Sequence, residues 1–153
     1  MQLAVVNVAR ALAPTDSPVL AEFMAGLEPV NALADRSPGF VWRLVDDDGG
    51  DATSLRPYDD DRVLINLATW TSVDALFDFT YRTVHLEFVR RRREWFEHLG
   101  EPVVALWWVP DGHRPTPAEA VSRLEILRAH GPSPEAFTFR DRYPAPALDP
   151  TAS

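Results

Sequence analysis

His85 is the residue of this sequence best placed to do chemistry. It lies in the stretch YRTVHLEFVRRRREWF, and Phe77, Tyr81, Val84 and Phe88 recur around it at spacings of three or four. If this stretch is one helix, those residues share a face with the histidine. A histidine there can be an acid–base group or a metal or haem ligand, or a neutral imidazole bonded to a backbone carbonyl. No second histidine lies at ligand spacing, so we expect no metal site.

Polar and aromatic residues on the strands supply further candidates. Asn7 is the polar exception on an apolar first strand, where it could orient a ligand or lie at a dimer seam. We assign His85, Asn7 and Tyr81 to catalysis. The aromatic residues could line a pocket for a flat ligand, or form core and interface. Those that we expect to bind substrate are Trp42, Trp70, Phe77, Phe88 and Trp108.

Four consecutive arginines, at positions 90–93, follow the histidine. Because a helix turns 100° per residue, at least one of them must face inward or toward the dimer partner. We assign Arg92 as a clamp for an anionic group of the substrate. The alternative is a solvated face balanced by the acidic runs at 46–48 and 59–61. The run DDDGGD lacks the ligand spacing of a calcium loop.

The order of elements predicts a ferredoxin-like α+β domain. Strands are expected at 2–9, 40–45, 62–70 and 103–109. Helices are expected after Ser17-Pro18, kinked or split at Pro29, and from 72 to 99 after a capping box of Thr71 and Asp74. The result is βαββαβ, with a third helix from Thr116 to Gly131. We assign 1–139 to one domain and 140–153 to a loosely held Pro/Ala-rich tail.

The first and fourth strands are apolar on both faces. The helices of the βαββαβ unit can cover only one face, and the added helix is short. We therefore expect a second copy of the sheet to cover the other face, giving a homodimeric α+β barrel. The alternative is a monomer whose third helix and tail wrap the back of the sheet.

Composition excludes several classes of function. The net charge of −8 argues against a nucleic-acid partner. The absence of cysteine and lysine excludes thiolate and Schiff-base chemistry. No apolar run is long enough for a membrane span, and the N-terminus has no signal-peptide pattern, so we expect a cytoplasmic protein. Phosphate-loop, GxSxG and HExxH motifs are missing.

Three stretches, NALADRSPGFVWRL, RPYDDDRVLINLATWTSVDALFDFTYRTVHLEFVRRRREWF and VALWWVPDGHRPTPAEAVSRLEILRAHGPSPEAFTF, resemble the bacterial domain-of-unknown-function family numbered 3291. The piece TWTSVDALFDFTYRTVH resembles the antibiotic-biosynthesis-monooxygenase superfamily. That resemblance implies a dimeric α+β barrel that is a cofactor-independent quinone-forming monooxygenase or a haem-degrading enzyme. The haem-degrading type uses a strand Asn, a helical Trp and a helical His. Here Asn7 and His85 match, whereas Phe77 or Phe79 replaces the Trp and the spacing is a turn shorter.

These observations lead to one main hypothesis and two alternatives. The main hypothesis is cofactor-independent oxygenation of a flat hydrophobic metabolite, which needs a base, a dry pocket and polar groups that stabilise an enolate. The alternatives are a protein that binds haem or another hydrophobic ligand, and a non-redox isomerase or cyclase of natural-product biosynthesis that uses the same pocket.

Overall fold

The computed structural model describes residues 1–14, 16–45, 62–83 and 85–146. The strands are β1 (Gln2–Arg10), β2 (Phe40–Arg43), β3 (Val63–Trp70) and β4 (Val104–Val109). The helices are α1 (Ala21–Asp35), α2 (Val73–Arg82), α3 (His85–Arg90), α4 (Arg92–Trp95) and α5 (Pro117–His130). The acidic runs at 46–48 and 59–61, Val84 and the end of the tail lie outside the described residues.

The strands form one antiparallel sheet in the order β2-β3-β1-β4. This order, with α1 and α2 connecting the strands, confirms the expected ferredoxin-like α+β fold. Alternate residues of each strand point to opposite faces. We call the face with Leu3, Val5 and Asn7 the front face, and the face with Ala4, Val6 and Val8 the back face.

Helix α5 packs on the back face. Its buried residues Ala120, Leu124 and Leu127 join a cluster that contains Val6, Trp107 and neighbouring strand residues. Trp107 and Leu124 are fully buried within a single chain. The expectation that α5 is too short to cover this face is therefore wrong, because one 14-residue helix laid on β1 and β4 is sufficient to bury their apolar residues.

The front face is covered by α1, α2 and the segment after α5. Leu3, Trp70 and Leu106 pack there with Leu76 of α2 and Phe137. The segment after α5 also pairs with the outer edge of β4. The amide N–H of Phe137 donates to the Leu106 carbonyl at 2.8 Å, and that of Leu106 donates to the Phe137 carbonyl at 2.9 Å.

The single long helix predicted from 72 to 99 is wrong, since the chain forms three short helices there. Thr83 is extended at the end of α2, with φ −127° and ψ −176°. Its hydroxyl donates to the Phe79 carbonyl and accepts from the His85 amide at 3.2 Å. Such local side-chain bonds compete with the helical pattern. His85 consequently begins a new helix instead of lying in the middle of an old one.

The helix starts and stops follow the sequence with two corrections. Helix α1 runs continuously through Pro29, so the predicted split does not occur. The N-cap of α2 is Ser72, whose hydroxyl accepts from the Ala75 amide, and not the expected Thr71. Thr116 caps α5 as predicted, by accepting from the amide of Glu119.

The first part of the tail is held in place, against expectation. The carbonyl of Tyr143 accepts a 2.9 Å hydrogen bond from the Trp108 indole, and Arg142 pairs with Asp74 at 3.0 Å.

Among the described residues, no helix is long and apolar enough to cross a membrane.

Candidate functional site

A cavity of about 220 Å³ lies between the front face and helices α1 to α3. The sheet contributes Val5, Asn7, Ala9, Leu64, Asn66 and Val104 to its wall. The helices contribute mainly apolar residues. Their polar exceptions are Asn31 of α1, and Thr80 and His85 at the junction of α2 and α3. The cavity therefore has a mostly apolar lining with a few polar groups, which is typical of small-molecule sites.

His85 is held at this wall by its own helix junction. Its Nδ1 lies 3.1 Å from the carbonyl oxygen of Thr80, and its ring lies 5.0 Å from that of Phe79. Because a carbonyl can only accept, Nδ1 must carry the proton of this hydrogen bond. In the neutral imidazole Nε2 is then the unprotonated nitrogen, which can accept a proton.

Burial lowers the pKa of His85 from its ordinary 6.5, and the hydrogen bond to Thr80 opposes part of that shift. At neutral pH the imidazole is therefore uncharged and ready to act as a base. It is a weaker base than a solvated histidine, so any proton it accepts must come from an acidic group or leave an anion that the pocket stabilises.

Two asparagines face the cavity from the sheet. Asn7 on β1 and Asn66 on β3 are directly opposite each other in the strand register, and both are solvent-exposed although their strands are central. Their side chains form no hydrogen bond within the described residues. Each amide can donate to an oxygen of a ligand and accept from a hydroxyl.

Arg43 also lines the cavity, and sequence reasoning missed it. Its guanidinium pairs with Asp35 at the end of α1, with Nε 2.9 Å from one carboxylate oxygen. The signal that could have found it is that Arg43 is the one charged residue in the otherwise apolar strand FVWRLV. Because Asp35 neutralises the charge of Arg43, the presence of Arg43 does not indicate that the pocket binds anions.

The structure brings four of the predicted site residues together at the cavity. These are Asn7, His85, Trp70 and Phe88. Trp70 is 2% exposed and stacks on Phe79 with ring centroids 5.3 Å apart.

Tyr81 and Phe77 do not line the cavity. Both pack against Phe139, at centroid distances of 5.8 and 5.9 Å. The helical phase that grouped them with His85 fails because the helix breaks at Thr83.

Trp42 and Trp108 are not at this cavity either. Trp42 lies on the back face, where it packs against the α5 cluster. Trp108 is on the front face, but the segment after α5 covers it, with Phe137 6.5 Å away and the Tyr143 carbonyl bonded to its indole. Neither tryptophan is in contact with the pocket that holds His85.

The arginine run faces away from the cavity. Arg92 is exposed and donates to the Val89 carbonyl at 2.7 Å, so it is not the predicted anion clamp. Arg91 pairs with Glu22 and Glu94 and lies 4.7 Å over the Trp95 ring, which ties α4 to α1. The run lies on the short surface helices α3 and α4 and their junction, as the solvated alternative expects, whereas the acidic runs that were to balance it lie outside the described residues.

Metal-binding groups are not clustered. No group of three or more His, Cys, Asp or Glu side chains within the described ranges could hold a metal ion.

The fold and this pocket together define an α+β protein with a ligand-sized cavity between a ferredoxin-like sheet and its helices. The chain belongs to the family described as "domain of unknown function (DUF3291)", whose model matches residues 2–152. No curated protein matches the sequence.

The comparison with solved structures gives two similar chains. A crystal structure of SnoaB, a cofactor-independent oxygenase from Streptomyces nogalater, is 22% identical, with a TM-score of 0.50 over 72% of this chain and 94% of that one. The NE2512 protein of unknown function from Nitrosomonas europaea is 12% identical, with a TM-score of 0.48 over 75% of this chain and 95% of that one. At 22% identity the likeness to SnoaB shows a shared α+β fold.

Proposed function

We propose that this protein catalyses the cofactor-independent oxygenation of a small, flat phenolic aromatic compound in the His85 cavity. The observation that carries the proposal is the anchoring of His85 Nδ1 on the Thr80 carbonyl, which leaves Nε2 as a free base at the wall of an apolar pocket. The description of SnoaB as a cofactor-independent oxygenase supports the same reaction class.

The size of the cavity bears on the size of the substrate. Its volume of about 220 Å³ exceeds the roughly 150 Å³ of an engineered apolar cavity that binds benzene. A substrate of two fused rings fits this range. A bicyclic phenol such as 1-naphthol is therefore a suitable probe.

The first step is proton transfer from the phenol to His85 Nε2. The resulting naphtholate is stabilised by N–H donation from the amides of Asn7 and Asn66, which face the cavity side by side. Because most of the pocket wall is apolar and a bound naphthol displaces water from both amides, these hydrogen bonds stabilise the anion more than they would in water.

The oxidation draws its electrons from the naphtholate itself. One electron passes to O₂, and the superoxide combines with the ring radical at the carbon para to the oxygen. The peroxide takes up a proton, and the hydroperoxide loses water as the ring C–H proton leaves. One oxygen atom ends in 1,4-naphthoquinone and the other in water, so one O₂ is consumed per quinone and no external reductant is needed.

The other readings of the sequence have less support. Haem is a four-pyrrole macrocycle, and a cavity suited to two fused rings does not favour it. No contact in the site specifically favours an isomerase or cyclase.

The homodimer and the cytoplasmic location stay predictions. The dimer was predicted because the back face had no cover. Since α5 buries that face within a single chain, this reason for a dimer through the back face no longer applies. Sedimentation equilibrium tests the dimer directly, because it should give about twice 17.2 kDa.

An oxygen electrode and the quinone absorbance together test the reaction with 1-naphthol. We expect one O₂ per naphthoquinone and no hydrogen peroxide. His85→Gln retains a group that can donate to the Thr80 carbonyl but lacks a base, and should lower turnover by about 10²- to 10⁴-fold. The matched control is His98→Gln, because His98 is exposed and contacts Arg93 instead of the cavity.

Two results would contradict the proposal. Turnover of 1-naphthol by His85→Gln at the rate of His98→Gln would remove His85 as the base. Binding of 1-naphthol in the cavity without O₂ consumption, seen by calorimetry alongside the electrode, would leave a binding protein and not an oxygenase.

A further inference from the structure

A second, smaller pocket lies at one end of the back face. It has a volume of about 130 Å³ and is formed by β2, β3, the start of β1 and the loop between β4 and α5. Its lining residues are Gln2, Val41, Trp42, Thr69, Gly112, His113 and Arg114. Trp42 lies on the face opposite His85, so this pocket is separated from the oxygenation site by the sheet.

One buried polar group beside this pocket has no partner. Thr69 is 1% exposed, and its Oγ1 makes no hydrogen bond with any residue that the structure describes. An unsatisfied buried hydroxyl is unfavourable, and such groups usually indicate a missing water, ion or ligand. The strand register sets Thr69 between Ala4 of β1 and Trp42 of β2, under the pocket.

Gln2 and Arg114 leave donors free at the pocket, while the side-chain oxygens of Gln2 and of the neighbouring Glu119 are occupied. The Oε1 of Gln2 already accepts from the Gly112 amide at 3.3 Å, so its amide nitrogen is the group left free. Both carboxylate oxygens of Glu119 are used, one by the Trp107 indole at 3.0 Å and one by His113 at 2.8 Å. Arg114 has no ion pair or hydrogen bond with any described residue.

Besides the second ring nitrogen of His113, the free groups at the pocket are a guanidinium, an amide N–H and a hydroxyl. All three can donate to an anion that only accepts hydrogen bonds. A carboxylate matches the planar fork of an arginine. Val41 and the ring of Trp42 supply an apolar wall beside these donors. The volume, below that of a benzene-binding cavity, limits the ligand to a few carbon atoms.

We propose that this pocket is a second ligand site, which binds a short-chain monocarboxylate. The carboxylate pairs with Arg114 and accepts hydrogen bonds from the Gln2 amide and the Thr69 hydroxyl. The alkyl chain lies against Trp42. This site is independent of the oxygenation proposal, because it shares no residue with the His85 cavity.

Titration with propionate tests the site, with the indole N–H resonance of Trp42 as the readout in a ¹H–¹⁵N spectrum of the full chain. We expect a saturable shift with a Kd on the order of 1 mM, because a ligand of so few atoms cannot bind tightly. Propionamide has the same shape without the charge and should shift the resonance little. Arg114→Gln should weaken propionate binding about tenfold, while Arg82→Gln, at an exposed position elsewhere, should leave binding unchanged.

Thr69→Val separates a ligand site from a structural role. The substitution has nearly the same shape and removes the unpartnered hydroxyl, so the free protein should melt at the same or a higher temperature, while propionate should bind more weakly. The control is Thr138→Val, because the Thr138 hydroxyl accepts from the Asp141 amide and its loss should lower the melting temperature.

Three outcomes would overturn the proposal. Equal shifts with propionate and propionamide would remove the carboxylate from the argument. Tighter binding of inorganic phosphate than of propionate would assign the pocket to a compact oxyanion. A lower melting temperature for Thr69→Val, with no propionate shift in any variant, would mean that the hydroxyl holds a structural water and that the pocket has no ligand.

Discussion

The two faces of the sheet both present mainly apolar side chains from the same four strands, but they are covered by different elements. On the back face, alternate residues of β1, β3 and β4 pack under α5 into one cluster. The buried members of this cluster are at most 3% exposed. On the front face, the end that carries Leu3 and Leu106 is sealed by α2 and the segment after α5, while the end with Asn7 and Asn66 is open to the cavity. Apolar strand residues thus mark the stabilising part of the sheet, and the two asparagines mark where it is left uncovered.

The largest change in the free energy of unfolding is expected for a substitution under α5, on the back face. Leu124 of α5 is fully buried, so Leu124→Ala should lower the free energy of unfolding by about 2–5 kcal/mol, through lost burial and a residual cavity. Urea denaturation measures this change. Leu12→Ala, at a site 42% exposed, should change it by no more than about 0.5 kcal/mol. Equal values for the two variants would mean that α5 does not seal the sheet.

A smaller loss is expected where α1 meets α3 beside the cavity. A Cβ on Gly26 would clash with the outer end of the Phe88 ring, so Gly26→Ala forces that ring to move. Overpacking of this kind costs about 1–3 kcal/mol, which exceeds the gain of about 1 kcal/mol in helix propensity. In a double-mutant cycle followed by urea denaturation, Phe88→Leu should recover most of the loss. No recovery would contradict the contact.

At the end of the front face that is open to the cavity, a substitution should leave the stability unchanged or increase it. Asn66→Leu keeps the size of the side chain but removes its amide from the cavity, so the free energy of unfolding should stay the same or rise by up to about 1 kcal/mol. Binding of 1-naphthol, measured by calorimetry, should weaken in the same variant. A large loss of stability would show that Asn66 serves the fold instead of a ligand.

The smallest expected effect is the contribution of His85 to the pH dependence of stability. Its pKa is lowered in the folded protein, so below the ordinary value of 6.5 the unfolded chain takes up more protons than the folded one. The stability that His85 contributes is present above pH 6.5 and is lost as the pH falls toward the lowered pKa. The difference in melting temperature between the native protein and His85→Gln should follow that direction. A difference that is constant with pH would refute the burial of the imidazole.

Much of the fold could be read from local sequence. Ser17 followed by Pro18, and Thr116 followed by Pro117, marked helix starts, and strands that are apolar on both faces indicated a sheet covered on both sides. What covered the back face could not be read, because the length of a helix does not say where it packs. The structure answers that question within one chain.

The site was only partly predictable for a similar reason. His85 and Asn7 were identified because they are polar exceptions in apolar stretches. Tyr81 and Phe77 were misplaced because helical periodicity was extended across Thr83, where hydroxyl bonds to Phe79 and His85 interrupt the helix. Arg43 was overlooked because its partner, Asp35, is on a different element.

The pairing of Phe137 with Leu106 has a consequence for how the protein behaves in a crowded solution. An outer strand with free amides and carbonyls is a template on which further chains can assemble into aggregates. The two backbone hydrogen bonds between these residues occupy part of the outer edge of β4. At the opposite margin of the sheet, β2 is only four residues long and its register with β3 shifts between Phe40 and Trp42. Both margins are therefore poor templates for the growth of intermolecular sheets.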